Sequence, residues 1–180
     1  MRGGAMSDER VLAEALAGIA RGDKEAMAVL YDEASADLYG YALWKTGNPD
    51  DASDVVQELF VRLAQTRASL ARVSKPKAYL LGMAHRAAVD LFRVRRRTEP
   101  LEESLLLEGG PGPSERLSAR EASLAVAALT PDQREIVYLR HFCDLSFAEM
   151  GAALGISLFT AASRYRLAIR RLRKALGVAP

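Results

Sequence analysis

The stretch from Ala52 to Leu63 carries its apolar residues at the spacing of a helix. They follow one another at intervals of three, one, three, one and three positions: Ala52, Val55, Val56, Leu59, Phe60 and Leu63. This pattern predicts a helix with one buried face. The preceding Asn48-Pro49-Asp50-Asp51 supplies an N-cap, a proline suited to the first turn and two acids that favour the positive end of the helix dipole. No segment alternates apolar and polar residues with period two, so the chain is predicted to be all-α.

Three further helices are predicted around this one. Ser7 can cap a helix that runs to about Ala20, and Gly22-Asp23 can start another that ends near Thr46-Gly47. Pro76 opens a fourth helix, because proline fits the first helical position. Its predicted inner face consists of Leu80, Met83, Ala84, Ala87, Leu91 and Val94.

A segment rich in acids, glycine and proline follows and divides the chain in two. Residues 102–113 end in Gly109-Gly110-Pro111-Gly112-Pro113 and show no sustained period. Such composition is typical of a linker. We therefore expect two small helical domains, residues 7–97 and residues 114–177, joined by an acidic flexible linker over residues 98–113.

The second domain has the start and stop signals of a helix-turn-helix. Ser114 can cap a helix through Leu117, Leu124 and Ala128, and capping boxes occur at residues 130–133 and 146–149. Gly155 can stop the helix that the second box starts, and Ser157 can cap the last one. The predicted inner positions of that last helix are Ala161, Tyr165, Ala168, Leu172 and Leu176. A short helix, a turn with glycine and a longer basic helix indicate a helix-turn-helix.

Charge is segregated along the chain although the net charge is only +2. Residues 8–58 hold 12 acids and 4 bases, whereas residues 62–97 hold 10 bases and the single acid Asp90. The stretch 98–115 has five glutamates and no base, and residues 159–180 have six bases and no acid. Two basic blocks can be solvated helix faces, but they also suit a polyanion contacted at two places.

The last helix has the composition of a DNA-reading element. Its outward face is predicted to carry Phe159, Thr160, Ser163, Arg166 and Arg170, with Arg164 at the flank. Hydroxyls and guanidinium groups can bond base edges or phosphates in the major groove. Phe159 either meets a thymine methyl group or packs locally, and local packing is the prediction. The alternative for the whole unit is a helical hairpin that only packs or binds protein.

The fourth helix presents a second, less specific basic surface. One predicted outward stripe is His85, Val89, Phe92 and Arg96, flanked by Lys77, Arg86, Arg93, Arg95 and Arg97. Apolar groups among bases can stack on unpaired nucleotides. The same groups would also suit a surface that docks another protein, and His85 is expected to be an ordinary surface histidine.

Several function classes are disfavoured by composition. No run of about 18 apolar residues occurs, and the first residues lack a signal peptide's apolar stretch, so no membrane insertion and a cytoplasmic location are expected. Cys143 is the single cysteine and the chain has two histidines. Together they are too few ligands for a paired-ligand zinc site. No nucleophile, phosphate loop or acid-base pair emerges. The chain is predicted to be no enzyme and to hold no metal or cofactor.

Taken in order, these segments resemble the bacterial RNA polymerase sigma factors of the sigma-70 family, of the extracytoplasmic-function type. Residues 51–60, DASDVVQELF, resemble the family's core-polymerase-binding helix. Residues 78–91 with the arginines up to Arg97 resemble its minus-10 recognition helix, and residues 129–164 resemble its minus-35 domain. The order and spacing of the three motifs across the acidic linker are more telling than any one of them.

The resemblance implies a dissociable initiation subunit whose partners are core RNA polymerase, promoter DNA and an anti-sigma factor. Asp54, Gln57 and Glu58 would then contact the polymerase. The melted minus-10 strand would be held by Lys77, His85, Arg86, Arg93, Arg96 and Arg97. The minus-35 duplex would be read by Phe159, Thr160, Ser163, Arg164, Arg166 and Arg170.

The chain also departs from the family pattern. His85-Arg86 stands where Arg-Asn is frequent, no aromatic residue occurs from Arg67 to Lys75, and Leu158-Phe159 replaces a usual small residue. These departures keep open a degenerate sigma-like protein that acts by titration. Two further alternatives are a stand-alone helix-turn-helix regulator and, more weakly, an enzyme acting on nucleic acid.

Overall fold

The computed structural model describes residues 8–98 and 124–177, without the side chains of residues 96–98. The described part consists of helices and short connections and contains no strand, which confirms the all-α prediction. The chain forms two compact units. The first holds the helices up to residue 98, and the second holds most of those after residue 123. No helix of the described residues is long and apolar enough to cross a bilayer.

The first unit contains five helices with well-formed ends. They are α1 (Glu9–Ala20), α2 (Lys24–Thr46), α3 (Pro49–Gln65), α4 (Arg67–Leu70) and α5 (Pro76–Thr98). Asp23 and Asn48 cap α2 and α3 as predicted, with Asn48 Oδ1 accepting hydrogen bonds from the N–H groups of Asp50 at 2.8 Å and Asp51 at 3.1 Å. Gly47 ends α2 in the left-handed conformation at φ 68°, which favours glycine.

The core of this unit lies where α2 packs against α1, α3 and α5. Tyr41 of α2 is fully buried, as are Leu59 and Leu63 on the predicted inner face of α3. Helix α5 contributes buried side chains to this core: Leu80, Met83, Ala84 and Ala87, as predicted, together with Leu81 and Ala88. Hydrophobic burial on this scale accounts for the cohesion of the unit, because each buried leucine-sized side chain contributes about 1.5–3 kcal/mol.

Three details of the first unit differ from the predictions. Asp8 caps α1 through a 3.0 Å bond from the Arg10 N–H, while the predicted cap, Ser7, lies outside the described residues. The segment expected to be a loop after α3 contains the single-turn helix α4, whose Leu70 is buried. Val94 is 63% exposed and not part of the core. Periodicity predicts which face a helix buries but not how far the neighbouring helix extends to cover it.

The described residues from 124 onward contain a helix-turn-helix, as predicted, most of which belongs to the second unit. Residues 124–127 are helical, and they are followed by α6 (Pro131–His141), α7 (Phe147–Leu154) and α8 (Leu158–Ala175). Thr130 and Gln133 form the predicted capping box of α6. Gly155, at φ 68°, stands in the turn between α7 and α8, and a Cβ on Gly151 would lie 2.8 Å from the Ile156 carbonyl oxygen. This turn therefore depends on glycine at both positions.

The core of the second unit is smaller. Ile136 and Leu139 of α6 are buried, and α8 contributes Ala161 and Ala168. Leu124 and Leu176, predicted as inner positions, are exposed at the ends of their helices. The predicted helix start at Ser114 and the linker from residue 99 onward lie outside the described residues.

Candidate polymerase and nucleic-acid interfaces

Asp54, Gln57 and Glu58 are all exposed on α3, as the sequence predicted. They line an open groove between α3 and α5. The Nε of Arg62 donates to Glu58 Oε1 at 2.6 Å, one helical turn away. Glu58 is therefore partly neutralised within its own helix, whereas no ion pair of Asp54 occurs among those found in the described residues. The face is acidic and accessible, which suits a basic partner surface.

The groove also has an apolar component that sequence reasoning missed. Val61 of α3 is 49% exposed and lines the groove, as does Val94 of α5. Val94 had been assigned to the core because it falls on the inner stripe of α5. The groove thus combines an acidic rim with exposed apolar side chains.

An ion-pair chain crosses from α3 to α5. Arg62 lies 3.6 Å from Asp90 Oδ2, and Arg93 lies 3.7 Å from Asp90 Oδ1. The hydrogen bond to Glu58 raises the pKa of the Arg62 guanidinium, and the charges of Glu58 and Asp90 act in the same direction. These side chains are substantially exposed, so each pair contributes little to stability.

A second ion pair joins the same helices below the surface. The side chain of Asp51 is only 3% exposed and its Oδ1 accepts from Arg95 at 2.5 Å. Its other oxygen, Oδ2, is buried without a hydrogen-bond partner among the described residues. Burial raises the pKa of Asp51, and Arg95 opposes that rise. Arg95 therefore compensates a buried charge, which makes it a structural residue of α5.

The Asp51–Arg95 pair gives a stability prediction. Arg95→Met is expected to lower the free energy of unfolding at pH 7 by about 1–3 kcal/mol, because it leaves a buried carboxylate without a partner. The folded state binds the Asp51 proton more tightly than the unfolded chain, whose aspartate pKa is about 3.9. The stability gained by protonating Asp51 in the folded state is therefore complete below a pH of about 3.9. It is lost as the pH rises through the folded-state pKa of Asp51.

The control is Asp51→Asn, which removes the titrating charge and keeps the shape. Urea unfolding followed from pH 7 down through the unfolded-state aspartate pKa of about 3.9 should show wild type gaining stability on acidification relative to Asp51→Asn, and Arg95→Met gaining more than wild type. Parallel pH profiles for the three proteins would contradict the assignment.

The predicted minus-10 residues on α5 occupy different surroundings. Arg86 and Arg93 are exposed, and Arg93 is the residue near Asp90. Lys77 is half-buried, and its charge opposes the burial that raises the pKa of Asp37 on α2. Arg96 and Arg97 belong to the helical backbone of α5, and the predictions for their side chains lie outside the described residues.

His85 differs from the ordinary surface histidine that was expected. Its ring is half-buried, and Nδ1 lies 3.3 Å from the hydroxyl oxygen of the buried Tyr41. Helical spacing alone placed it on an outward stripe, but a long side chain on α2 reaches it there. His85 thus links α5 to the core, with only part of its ring open to a ligand.

The predicted minus-35 residues lie together on α8. Arg166, Arg170 and Thr160 are exposed, and Ser163 and Arg164 are half-buried. Ser157 Oγ accepts from the Thr160 N–H at 3.0 Å and lies 2.8 Å from the Thr160 hydroxyl. Arg164 donates to Asp132 Oδ2 of α6 at 2.7 Å. Two groups expected to read DNA are therefore already engaged within the protein.

The prediction that Phe159 packs locally is wrong. Its side chain is 80% exposed at the second position of α8. Phe147, Tyr165 and His141 form an aromatic cluster, with ring centroids 5.4 Å apart for Phe147 and Tyr165, and no ring contact of Phe159 occurs among those found in the described residues. The ring of Phe159 has the solvent-facing position of a contact residue.

The described residues contain no group of three or more metal-ligating side chains close enough to hold a metal ion. Exposed arginines on α5 and α8 suit phosphate and base contacts, and the acidic face of α3 suits a basic protein.

Two sequence models of one family match the chain in the order of its units. Sigma-70 region 2 matches residues 30–98, and Sigma-70, region 4 matches residues 125–174. Among curated proteins, the chain is 30% identical over 170 residues to the ECF RNA polymerase sigma factor SigK of Mycolicibacterium vanbaalenii, covering 89% of this chain and 87% of that protein. It is 32% identical over 168 residues to the ECF RNA polymerase sigma factor SigL of Mycobacterium tuberculosis H37Rv. That match covers 89% of this chain and 94% of that protein.

Solved structures show the same fold at lower identity. The sigma factor RpoE in complex with the anti-sigma factor NepR from Bartonella quintana aligns with a TM-score of 0.65 at 24% identity, covering 81% of this chain and 93% of that one. CnrH in complex with the cytosolic domain of CnrY aligns with a TM-score of 0.67 at 22% identity, covering 94% of this chain and 99% of that one.

Proposed function

The chain belongs to the sigma-70 family of bacterial RNA polymerase sigma factors, in its extracytoplasmic-function group, and we propose that three of its surfaces each carry one of the binding functions of a sigma factor. As a sigma subunit it binds core RNA polymerase and promoter DNA, directs transcription initiation and is not an enzyme. The observation that carries the division is the segregation of exposed charge: acids on α3, and arginines on α5 and α8.

The acidic face of α3 is the proposed polymerase contact. Asp54, Gln57 and Glu58 are exposed at the rim of the α3–α5 groove. Like charges one helical turn apart, as in Asp54 and Glu58, cost a little helix stability, so a basic partner surface would relieve them. Val61 and Val94 would add apolar contact area beside the acids.

Helix α5 provides the proposed surface for the melted minus-10 strand, with Lys77, His85, Arg86, Arg93, Arg96 and Arg97 as the proposed contacts. Arg86 and Arg93 are exposed at different heights of the helix, which allows contacts to successive phosphates. The contact of Arg93 with Asp90 is long and exposed, so a phosphate can replace it at little cost.

Helix α8 is the proposed minus-35 reader, with Phe159, Thr160, Ser163, Arg164, Arg166 and Arg170 facing the duplex. In a helix-turn-helix the second helix enters the major groove and its first turns meet the base edges. Arg166 and Arg170 keep exposed guanidinium groups for bases or phosphates.

We also propose the domain division 7–97, 98–113 and 114–177, with core polymerase fixing the distance between the two DNA-binding domains. A flexible linker alone gives the second contact only a modest effective concentration. The free chain is therefore expected to bind promoter DNA weakly. A cytoplasmic location follows from the partner, and the RpoE–NepR complex supports an anti-sigma factor as a further partner.

Run-off transcription tests this function. Purified core polymerase on restriction-digested genomic DNA from the source bacterium should yield discrete new transcripts only when the chain is added. Polymerase that binds the chain and starts at no new site would instead support the titration alternative, and a chain that fails to bind polymerase would contradict the proposal.

A further inference from the structure

Phe159 is the most exposed of the large apolar side chains in the described residues, at 80%. It is the second residue of α8, which begins at Leu158 behind the N-cap Ser157. An aromatic ring held in water at the start of a reading helix carries an unfavourable hydration cost. Contact with a partner would bury the ring and remove that cost.

The polar groups near Phe159 are less available to read bases. The Thr160 hydroxyl lies 2.8 Å from Ser157 Oγ, and Arg164 is bonded to Asp132. Arg166 and Arg170 lie two and three turns beyond the helix start. The first turn of α8 is thus dominated by an apolar group.

Thymine carries the apolar group of the major groove, its C5-methyl, and aromatic side chains are among those that contact it. We propose that Phe159 determines specificity at the minus-35 element by contacting the C5-methyl group of a thymine. This inference rests on the proposed entry of α8 into the major groove.

The charge around Phe159 favours DNA over a protein as the partner. Residues 159–180 contain six bases and no acid. Arg166 and Arg170 are exposed on the same helix. An apolar ring at the tip of a basic helix suits a partner with methyl groups between rows of phosphates.

Replacement of thymine by uracil removes only the methyl group and tests this directly. Holoenzyme reconstituted from core polymerase and this chain first selects its preferred minus-35 duplex from a random library. Each thymine of the selected duplex is then replaced by uracil, and equilibrium affinities are measured for wild type, Phe159→Ala and Arg170→Ala. Arg170→Ala serves as the matched control, because loss of a phosphate contact weakens all duplexes alike.

At one thymine, wild type should bind the uracil duplex about fourfold more weakly, which corresponds to about 0.8 kcal/mol for one buried methyl group. Phe159→Ala should bind thymine and uracil there equally, and Arg170→Ala should keep the fourfold difference. The proposal is overturned if wild type shows no such position, or if Phe159→Ala keeps the difference.

Two other outcomes have separate meanings. Weaker binding of Phe159→Ala to core polymerase without DNA, with the thymine preference unchanged, would identify a protein contact and overturn the inference. Failure of the holoenzyme to select any duplex would instead contradict the proposed function of α8, on which the inference rests.

Discussion

Reversing Asp54 and Glu58 together to lysine is expected to weaken binding to core RNA polymerase by about 100-fold or more. Loss of one partner from a close interfacial charge pair costs about 2–5 kcal/mol, and reversal adds repulsion to that loss. Both carboxylates are exposed on α3, so the substitution leaves the core of the unit intact. Fluorescence titration of labelled chain with core enzyme measures the effect.

A matched control separates a specific contact from a change of net charge. Glu14→Lys with Glu25→Lys changes the charge equally at exposed positions of α1 and α2. This variant should bind polymerase within about twofold of wild type. Equal loss in both double variants would show a general electrostatic effect, and unchanged binding of the α3 variant would remove Asp54 and Glu58 from the polymerase contact.

Promoter binding by the holoenzyme should weaken on the order of a thousandfold between 50 and 200 mM salt. This follows if the chain neutralises about six phosphates, because each neutralised phosphate releases counterions and contributes about 0.9 to the slope of log affinity against log salt. Arg166→Ala and Arg170→Ala should each lower that slope by about 0.9 if they contact phosphates.

The measurement is a titration of fluorescent promoter duplex with holoenzyme at several salt concentrations. Arg21→Ala is the control, because Arg21 is exposed at the end of α1, outside the proposed DNA surfaces. Its slope should equal that of wild type. A salt response that is nearly flat would contradict the DNA-binding role of the basic blocks.

The helix boundaries were predictable because they depend on local chemistry. Asn48, Thr130 and Ser157 cap their helices in the structure as their side chains predict. Gly47 and Gly155 adopt the left-handed conformation that ends a helix. Each of these outcomes is decided by residues within one helical turn, so no knowledge of the tertiary fold is needed.

The side-chain pairs of the site were not predictable in the same way. The Asp51–Arg95 and Tyr41–His85 pairs each join residues 44 positions apart. Sequence periodicity assigned His85 to an outward stripe and Val94 to the core, and both assignments failed where α5 meets its neighbours. Long-range contact depends on where helices cross, which period and capping do not specify.

The fate of Phe159 also required the structure. Sequence reasoning favoured local packing, but no local rule decides whether an aromatic side chain at the start of a helix packs or projects. In the structure Tyr165 of α8 packs against Phe147, whereas Phe159 stays in solvent.

The Arg164–Asp132 bridge has a consequence for the search through the chromosome. While the bridge is closed, the Arg164 guanidinium is not available to bind phosphates, which are the same in every DNA sequence. Each cation that does not contact a phosphate lowers the affinity for non-specific DNA, so the protein dissociates from such DNA faster.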